Sequence, residues 1–91
     1  MYEIVVYQKE EIGPAYALVR NHRLIRTTYC PQGINAAFID GIRREIKFVR
    51  AKTQQPDILI RTSDRVDDNA RSRTIPLEDN VLATIRDAIK H

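Results

Sequence analysis

Residues 33–52 read GINAAFIDGIRREIKFVRAK, and they form the longest stretch of this chain with one clear period. Apolar side chains and one Asn recur there at steps of three and four residues, which places them along one side of a helix. These residues are Asn35, Phe38, Ile39, Ile42, Ile46 and Val49. The opposite side is charged and mostly basic, with Asp40, Arg43, Arg44, Lys47 and Arg50. The pattern therefore predicts an amphipathic helix with one basic face.

The residues before this helix predict three antiparallel strands. Residues 2–8, 15–20 and 23–29 are short segments rich in β-branched and aromatic side chains. The first is apolar on both faces, so we expect it near the middle of the sheet. Asn21 and His22 form a two-residue hairpin loop, because Asn tolerates the positive φ that such a turn requires. We expect this turn to give the pairs Arg20–Arg23, Leu18–Ile25 and Tyr16–Thr27, with Arg26 on the other face.

The residues after the helix predict a strand, a loop and a second helix. Residues 57–62 form a compact apolar strand, which should run parallel to the strand that it joins through a right-handed crossover. Residues 63–74 have almost no apolar content, so we expect a long mobile loop. Pro76 then opens the last helix, which has Lys90 and His91 at its carboxyl end. The apolar stripe of that helix comprises Leu77, Val81, Leu82, Ile85, Ala88 and Ile89.

These elements predict an α/β fold in a single domain of residues 1–91, because chains divide into domains only at greater length. We expect a four-stranded mixed sheet in the order β-β-β-α-β-α, with two amphipathic helices packed on it. Several strands are apolar on both sides. The helices should therefore lie on opposite faces, or one face should be shielded by self-association, and a homodimer is one expected state.

The composition favours a globular protein with an anionic partner. The net charge is +3 and the sequence pI is about 9.3, which suits an acidic protein surface or a nucleic acid. No apolar run approaches the roughly 20 residues that span a bilayer, so no membrane partner is expected. The amino-terminal residues lack the features of a secretory signal. Cys30 is the single cysteine, which is consistent with a reducing compartment, and we expect a cytoplasmic protein.

Three segments and the order of the elements resemble the ribonuclease-H-like fold. The segments are residues 13–18 (GPAYAL), residues 26–28 (RTT) before the helix, and residues 58–64 (ILIRTSD) after it. The resemblance covers most of residues 2–64 and rests on topology. It implies catalysis similar to two-metal phosphodiester hydrolysis, in which several carboxylates converge on Mg²⁺.

The chain lacks most of the acidic residues that this resemblance implies. Where the first carboxylate should stand, residues 6–8 read VYQ, and where a Glu should begin the helix, residues 35–38 read NAAF. Only Asp64, after the fourth strand, has a plausible role. One carboxylate cannot hold two cations, so the resemblance implies a recognition scaffold rather than a nuclease.

Other candidate chemical sites are weak. Asp64, Asp67 and Asp68 form an acidic cluster, but the calcium-loop pattern is missing and four arginines surround the cluster. His22 and His91 have no visible partner for nucleophilic catalysis. We therefore predict no catalytic residue, no metal site and no cofactor.

The basic residues are the best candidates for function. Arg43, Lys47 and Arg50 form a ridge with Arg44 beside it, while Arg20, Arg23 and Arg26 surround the hairpin tip. Such groups can contact the phosphates of a nucleic acid or the carboxylates of a protein. The alternative is a solvated helix face, which Asp40 partly neutralises.

Three functions follow from these observations. The first is a small non-enzymatic binding module that acts on a protein or nucleic-acid complex through its basic helix face; its size alone suggests a phage or mobile-element origin. The second is a divergent metal-dependent nuclease of ribonuclease-H-like fold that uses Asp64. The third is a structural subunit of a homo-oligomer.

Overall fold

The structure, a computed structural model, describes residues 1–90, which form one mixed sheet and two helices. In chain order the elements are β1 (Tyr2–Lys9), β2 (Gly13–Arg20), β3 (Arg23–Tyr29), α1 (Ala36–Lys52), β4 (Leu59–Arg61), β5 (Thr74–Pro76) and α2 (Asp79–Lys90). The α/β class, the mixed sheet and the two helices are confirmed. His91, expected at the end of the last helix, lies outside the described residues.

Strand β1 is the centre of the sheet. The strand order is β3-β2-β1-β4, and β5 also pairs with β1. β2 runs antiparallel to β1 along its whole length, while β4 runs parallel to Glu3–Val5 of β1. The central position of the first strand and the parallel direction of β4 are therefore confirmed.

The sheet has a fifth strand that the sequence did not predict. β5 pairs antiparallel with residues 7–9 of β1, on the same side as β4. It is only three residues long, which is too short to show an alternating pattern. Pro76 therefore ends a strand instead of opening the last helix. The strand lies at the edge of the sheet, where proline is tolerated.

Helix α1 begins later than its apolar pattern suggests, because Asn35 caps it. The Asn35 side-chain oxygen accepts a hydrogen bond from the Phe38 backbone N–H at 3.0 Å. Asn35 is therefore not part of the buried stripe. The residues of α1 that are fully buried are Phe38, Gly41, Ile42 and Val49.

Both helices lie on the same face of the sheet, so the expectation of opposite faces is wrong. Phe38, Ile42 and Val49 of α1 share one hydrophobic core with Leu82 and Ile85 of α2. The strands contribute Tyr2, Ile4, Val6, Tyr16 and Leu18 to the same core. The apolar stripes of the two helices thus converge on one side of β1 and β2.

The second face of the sheet is covered by the segment between β4 and β5, residues 62–73. Val66 from this segment packs against a second core. That core contains Val5, Tyr7, Ala15, Ala17 and Val19, all of them buried. The expected mobile polar loop therefore packs on the sheet, and the second core is buried within a single chain.

The hairpin loop forms as predicted, but the register behind it does not. Asn21 and His22 have φ values of 50° and 67°, and Arg20 pairs with Arg23. A shift between Leu18 and Val19 then inserts Ile25 as an extra residue. The pairs expected for Leu18 and Tyr16 are therefore wrong, since these residues face Arg26 and Thr28, and Arg26 lies on the helix side of the sheet.

Gly41 is explained by the close approach of α1 to β2. A Cβ atom at this position would overlap the Tyr16 hydroxyl and lie 2.9 Å from the Tyr16 Cζ. The Tyr16 ring is itself fixed, because it packs edge-on against Phe38 with a centroid distance of 5.5 Å. Tight packing thus offsets the cost of about 1 kcal/mol that Gly carries relative to Ala inside a helix.

We expect Gly41→Ala to lower the free energy of unfolding by about 1–3 kcal/mol, because the new methyl group overpacks the contact with Tyr16. Urea denaturation followed by circular dichroism measures this change. In a Tyr16→Leu background the outer ring atoms are gone, so the same substitution should be neutral or stabilise by up to about 1 kcal/mol. Equal losses in both backgrounds would contradict the packing argument.

Candidate basic groove

A groove with basic walls runs between α1 and α2. It is lined by Arg43, Ile46, Lys47, Arg50, Ile89 and Lys90, and we call it the basic groove. The α1 residues come from successive turns at steps of three and four, so they point toward the same side. The last turn of α2 adds Ile89 and Lys90. Three of the predicted ridge residues are therefore brought together with a lysine from the other helix.

Arg43 is engaged in holding the two helices together. Its Nη2 donates a hydrogen bond to the Ala88 carbonyl at 2.6 Å, and its Nε donates to the Ile89 carbonyl at 3.4 Å. These carbonyls belong to the last turn of α2, where no backbone donor remains and the helix dipole is negative. Asp40 also accepts a hydrogen bond from Arg43 at 3.2 Å. Arg43 thus anchors the end of α2, and only part of its charge faces the groove.

Three other cations of the basic groove form no ion pair within residues 1–90. Lys47, Arg50 and Lys90 are exposed and take part in none of the ion pairs or hydrogen bonds of the described chain. Lys47 and Arg50 are also neighbours on one helix face, where like charges repel. The groove therefore concentrates positive charge that the fold itself does not neutralise.

The remaining predicted basic residues lie elsewhere. Arg44 is exposed on the solvent side of α1, and Arg23 is exposed at the hairpin tip. The Arg20 guanidinium lies over the Tyr2 ring, 5.4 Å from its centroid. Arg26 forms a bidentate pair with Glu45, with two distances of 2.8 Å, so its charge is compensated.

The floor of the basic groove is apolar and continues past α2 toward β4. A second depression adjoins it and shares Ile46, Arg50, Ile89 and Lys90. Its further lining residues are Met1, Pro56, Asp57, Ile58, Leu59, Ile60 and Arg86. Sequence patterns assigned Ile46 and Ile89 to the core, yet both are only half-buried. The sequence signal for their place in the groove was that each stands at the margin of an apolar stripe, next to a basic residue.

The three aspartates after β4 do not form one cluster. Asp64 and Asp67 are exposed. The Asp68 side chain points toward the sheet and is only 1% exposed. Asp68 pairs with Lys9 at 3.1 Å and accepts a hydrogen bond from the Tyr7 hydroxyl at 2.9 Å. Within residues 1–90, no group of three His, Cys, Asp or Glu side chains could hold a metal ion. The predicted first strand ended at residue 8, so the burial of Lys9 was not predicted.

This buried pair shifts the ionisation of its neighbours. Burial opposes the ionisation of Asp68, but hydrogen bonds from Lys9, Tyr7 and the Ala70 backbone N–H outweigh it, so the pKa of Asp68 lies below its ordinary value. Burial and the hydrogen bond to Asp68 raise the pKa of Tyr29 to about 12, and they also raise the pKa of Tyr7. The ionised Asp68 therefore fastens the segment 62–73 to the sheet.

None of the helices within residues 1–90 is long and apolar enough to cross a membrane. α1 has 17 residues and α2 has 12, and each carries charged side chains along its exposed side. Both are needed instead to cover one face of the sheet, as their buried residues show.

We expect Arg43→Ala to lower the free energy of unfolding by about 1–2 kcal/mol, because two carbonyls at the end of α2 lose a charged donor. Arg44→Ala is the matched control, since its exposed side chain makes none of these bonds and should change stability by less than about 0.5 kcal/mol. Thermal unfolding of the two variants measures the difference. Equal stabilities would show that Arg43 does not anchor α2.

We expect Asp68→Asn to lower the free energy of unfolding by about 3–5 kcal/mol at pH 7, since Lys9 is left as a buried unpaired charge. Urea denaturation measures this loss, and Asp67→Asn is the exposed control. Adding Lys9→Met to Asp68→Asn should recover part of it. Failure of that rescue would contradict the pairing.

The pH dependence of this effect follows from the direction of the pKa shift. The folded pKa of Asp68 is below its ordinary value of 3.8, so the stabilisation is complete above that value. It is lost as the pH falls through the folded pKa. The difference between the wild type and Asp68→Asn should therefore shrink below about pH 4.

Comparison with known proteins adds no relative to this description. No protein-family model, no curated protein and no solved structure matches the chain. The resemblance to the ribonuclease-H-like fold stays an expectation from the sequence, and the basic groove is interpreted from its own contacts.

Proposed function

We propose that this protein is a small non-enzymatic binding module that takes an anionic partner in the basic groove. The observation that carries this proposal is the convergence of Lys47, Arg50 and Lys90 from two helices, without an ion-pair partner within residues 1–90. Adjacent like charges cost free energy unless something external compensates them. An anionic partner would supply that compensation.

Several basic side chains elsewhere in the fold form ion pairs with acidic side chains, which supports this interpretation. Arg26 pairs with Glu45, Arg61 pairs with Glu3 at 2.8 Å, and Arg73 lies 3.4 Å from Glu10. These pairs link separate elements of the fold. Lys47, Arg50 and Lys90 take no part in such pairs and line one groove together. Other exposed arginines without an ion pair, such as Arg23 and Arg44, lie elsewhere on the surface.

The positions that catalysis would need support binding rather than hydrolysis. Under the proposed resemblance to the ribonuclease-H-like fold, the first carboxylate would stand in β1, where Val6 and Tyr7 are fully buried. The second would begin α1, where Asn35 serves as the cap. Asp64 is exposed after β4, and its near neighbour Asp68 is held by Lys9. A divergent nuclease has no observation in its favour here.

We expect Lys47→Glu/Arg50→Glu to weaken the binding of polyanions at least tenfold, because two attractive contacts become repulsive and each exposed pair contributes up to about 1 kcal/mol. Fluorescence anisotropy at low salt with labelled poly-L-glutamate and with single-stranded (dT)20 measures the affinity. Arg43 is left unchanged because it anchors α2.

The matched control is Arg65→Glu/Arg71→Glu, which makes the same change in net charge on the segment 62–73, on the other face of the sheet. This control should bind as the wild type does. Equal weakening of both double variants would show that only net charge matters. Absence of binding by the wild type to either polyanion would overturn the proposed function.

A further inference from the structure

We infer that the partner of the basic groove is an acidic amphipathic helix of another protein; this inference rests on the proposed function and specifies its ligand. Three features of the molecule support this inference: the apolar floor of the groove, the arginine contact on the edge of β4, and the distribution of charge along the groove.

The floor of the groove offers apolar contacts that a phosphate backbone would not use. Ile46 and Ile89 form its centre, and the adjoining depression extends it to Ile58 and Leu59. Leu59 is 53% exposed, which leaves a large apolar side chain in water at one end. Burial of such surface stabilises a complex only if the partner brings apolar side chains of its own. A protein segment has them along one side.

The lining lacks the groups with which proteins hold single-stranded nucleic acids. Those proteins stack bases on aromatic rings along a basic track. The described residues around the two depressions include isoleucines, a leucine, a methionine and a proline, but no aromatic side chain. The combination of aliphatic floor and basic wall is instead that of grooves which take an amphipathic helix.

An arginine side chain occupies one backbone acceptor on the edge of β4. The Arg86 side chain reaches from α2 and donates two hydrogen bonds to the Ile60 carbonyl, at 2.9 and 2.5 Å. An extended peptide that added a strand to the sheet would need to form hydrogen bonds with the backbone groups of this edge. A helix needs none of them, because its backbone hydrogen bonds are internal.

The charges along the groove define the composition of the partner. Lys47 and Arg50 stand on the α1 side and Lys90 stands on the α2 side, so acidic residues should flank the apolar stripe of the partner. Asp57 also lines the adjoining depression, toward β4, so the partner should be less acidic at that end. The expected segment has apolar residues at i, i+3 or i+4, and i+7, with Asp and Glu on both sides.

The test compares two peptides of equal charge with one single-stranded oligonucleotide. The first is an 18-residue peptide with Leu at those helical positions and Glu at most others. The second has every Leu replaced by Ser at the same charge, and the third is single-stranded (dT)18. We expect the Leu peptide to bind at least tenfold more tightly than either of the others, by anisotropy at 150 mM salt, and to gain helical circular dichroism on binding.

Variants on the protein separate the floor from the charge. Leu59→Ser and Ile89→Ala should each weaken the Leu peptide about three- to tenfold and leave the weak binding of (dT)18 unchanged. Ile25→Ser is the matched control for Leu59→Ser, because Ile25 is 46% exposed on β3, outside the groove. Leu59 makes little contribution to the core, so its variant keeps the test valid if Ile89→Ala unfolds.

Two failures have different meanings. Equal binding of the Leu and Ser peptides, or tighter binding of (dT)18, would overturn the inference and leave an anion-binding groove in place. Absence of binding to all three probes, together with no effect of Lys47→Glu/Arg50→Glu on polyanions, would overturn the proposed function as well.

Discussion

Strand β1 is apolar on both faces, and a different part of the chain removes each face from water. Tyr2, Ile4 and Val6 enter the core beneath the two helices, while Val5 and Tyr7 enter the second core. Since no element is large enough to cover both faces, the two helices share one and the segment 62–73 takes the other. The buried pair of Lys9 and Asp68 fastens that segment in place. The arrangement of the other elements thus follows from the burial of β1 on both of its faces.

The basic groove is a consequence of crowding the two helices onto one face. Arg43 ties the end of α2 to α1, and Arg26 pairs with Glu45 on the opposite flank of α1. These contacts fix the position of α1 between β3 and α2. The residues between α1 and α2 therefore come from the margins of the two apolar stripes and from the basic positions beside them. The groove therefore needs no element beyond those that build the fold.

Local patterns in the sequence predicted the two helices and four of the five strands, but not every contact between them. The period of three to four residues identified α1, and Asn21 with His22 identified the hairpin loop. The extra residue at Ile25 was not visible, because side-chain alternation does not encode where a strand bulges. The pairing of Lys9 with Asp68 joins residues 59 positions apart, and no local period could reveal it.

The same distinction holds for the candidate site. The ridge of Arg43, Lys47 and Arg50 follows from helical spacing alone. Its partner Lys90 comes from the other helix, and the role of Arg43 as an anchor depends on the carbonyls of Ala88 and Ile89. Both facts belong to the tertiary arrangement, which sets the helices side by side. Because the sequence pattern favoured helices on opposite faces of the sheet, it could not predict either of these contacts between the helices.

Two of the outer strands of the sheet, β3 and β4, are protected by quite different means. On β3, the irregularity at Ile25 and the charged Arg23 and Arg26 disfavour stacking against another chain. On β4, protection comes from the Arg86 guanidinium on the Ile60 carbonyl, so it lasts only while α2 stays docked. Partial detachment of α2 would free the Ile60 carbonyl, so we expect the docking of α2 to limit the pairing of β4 with a second chain.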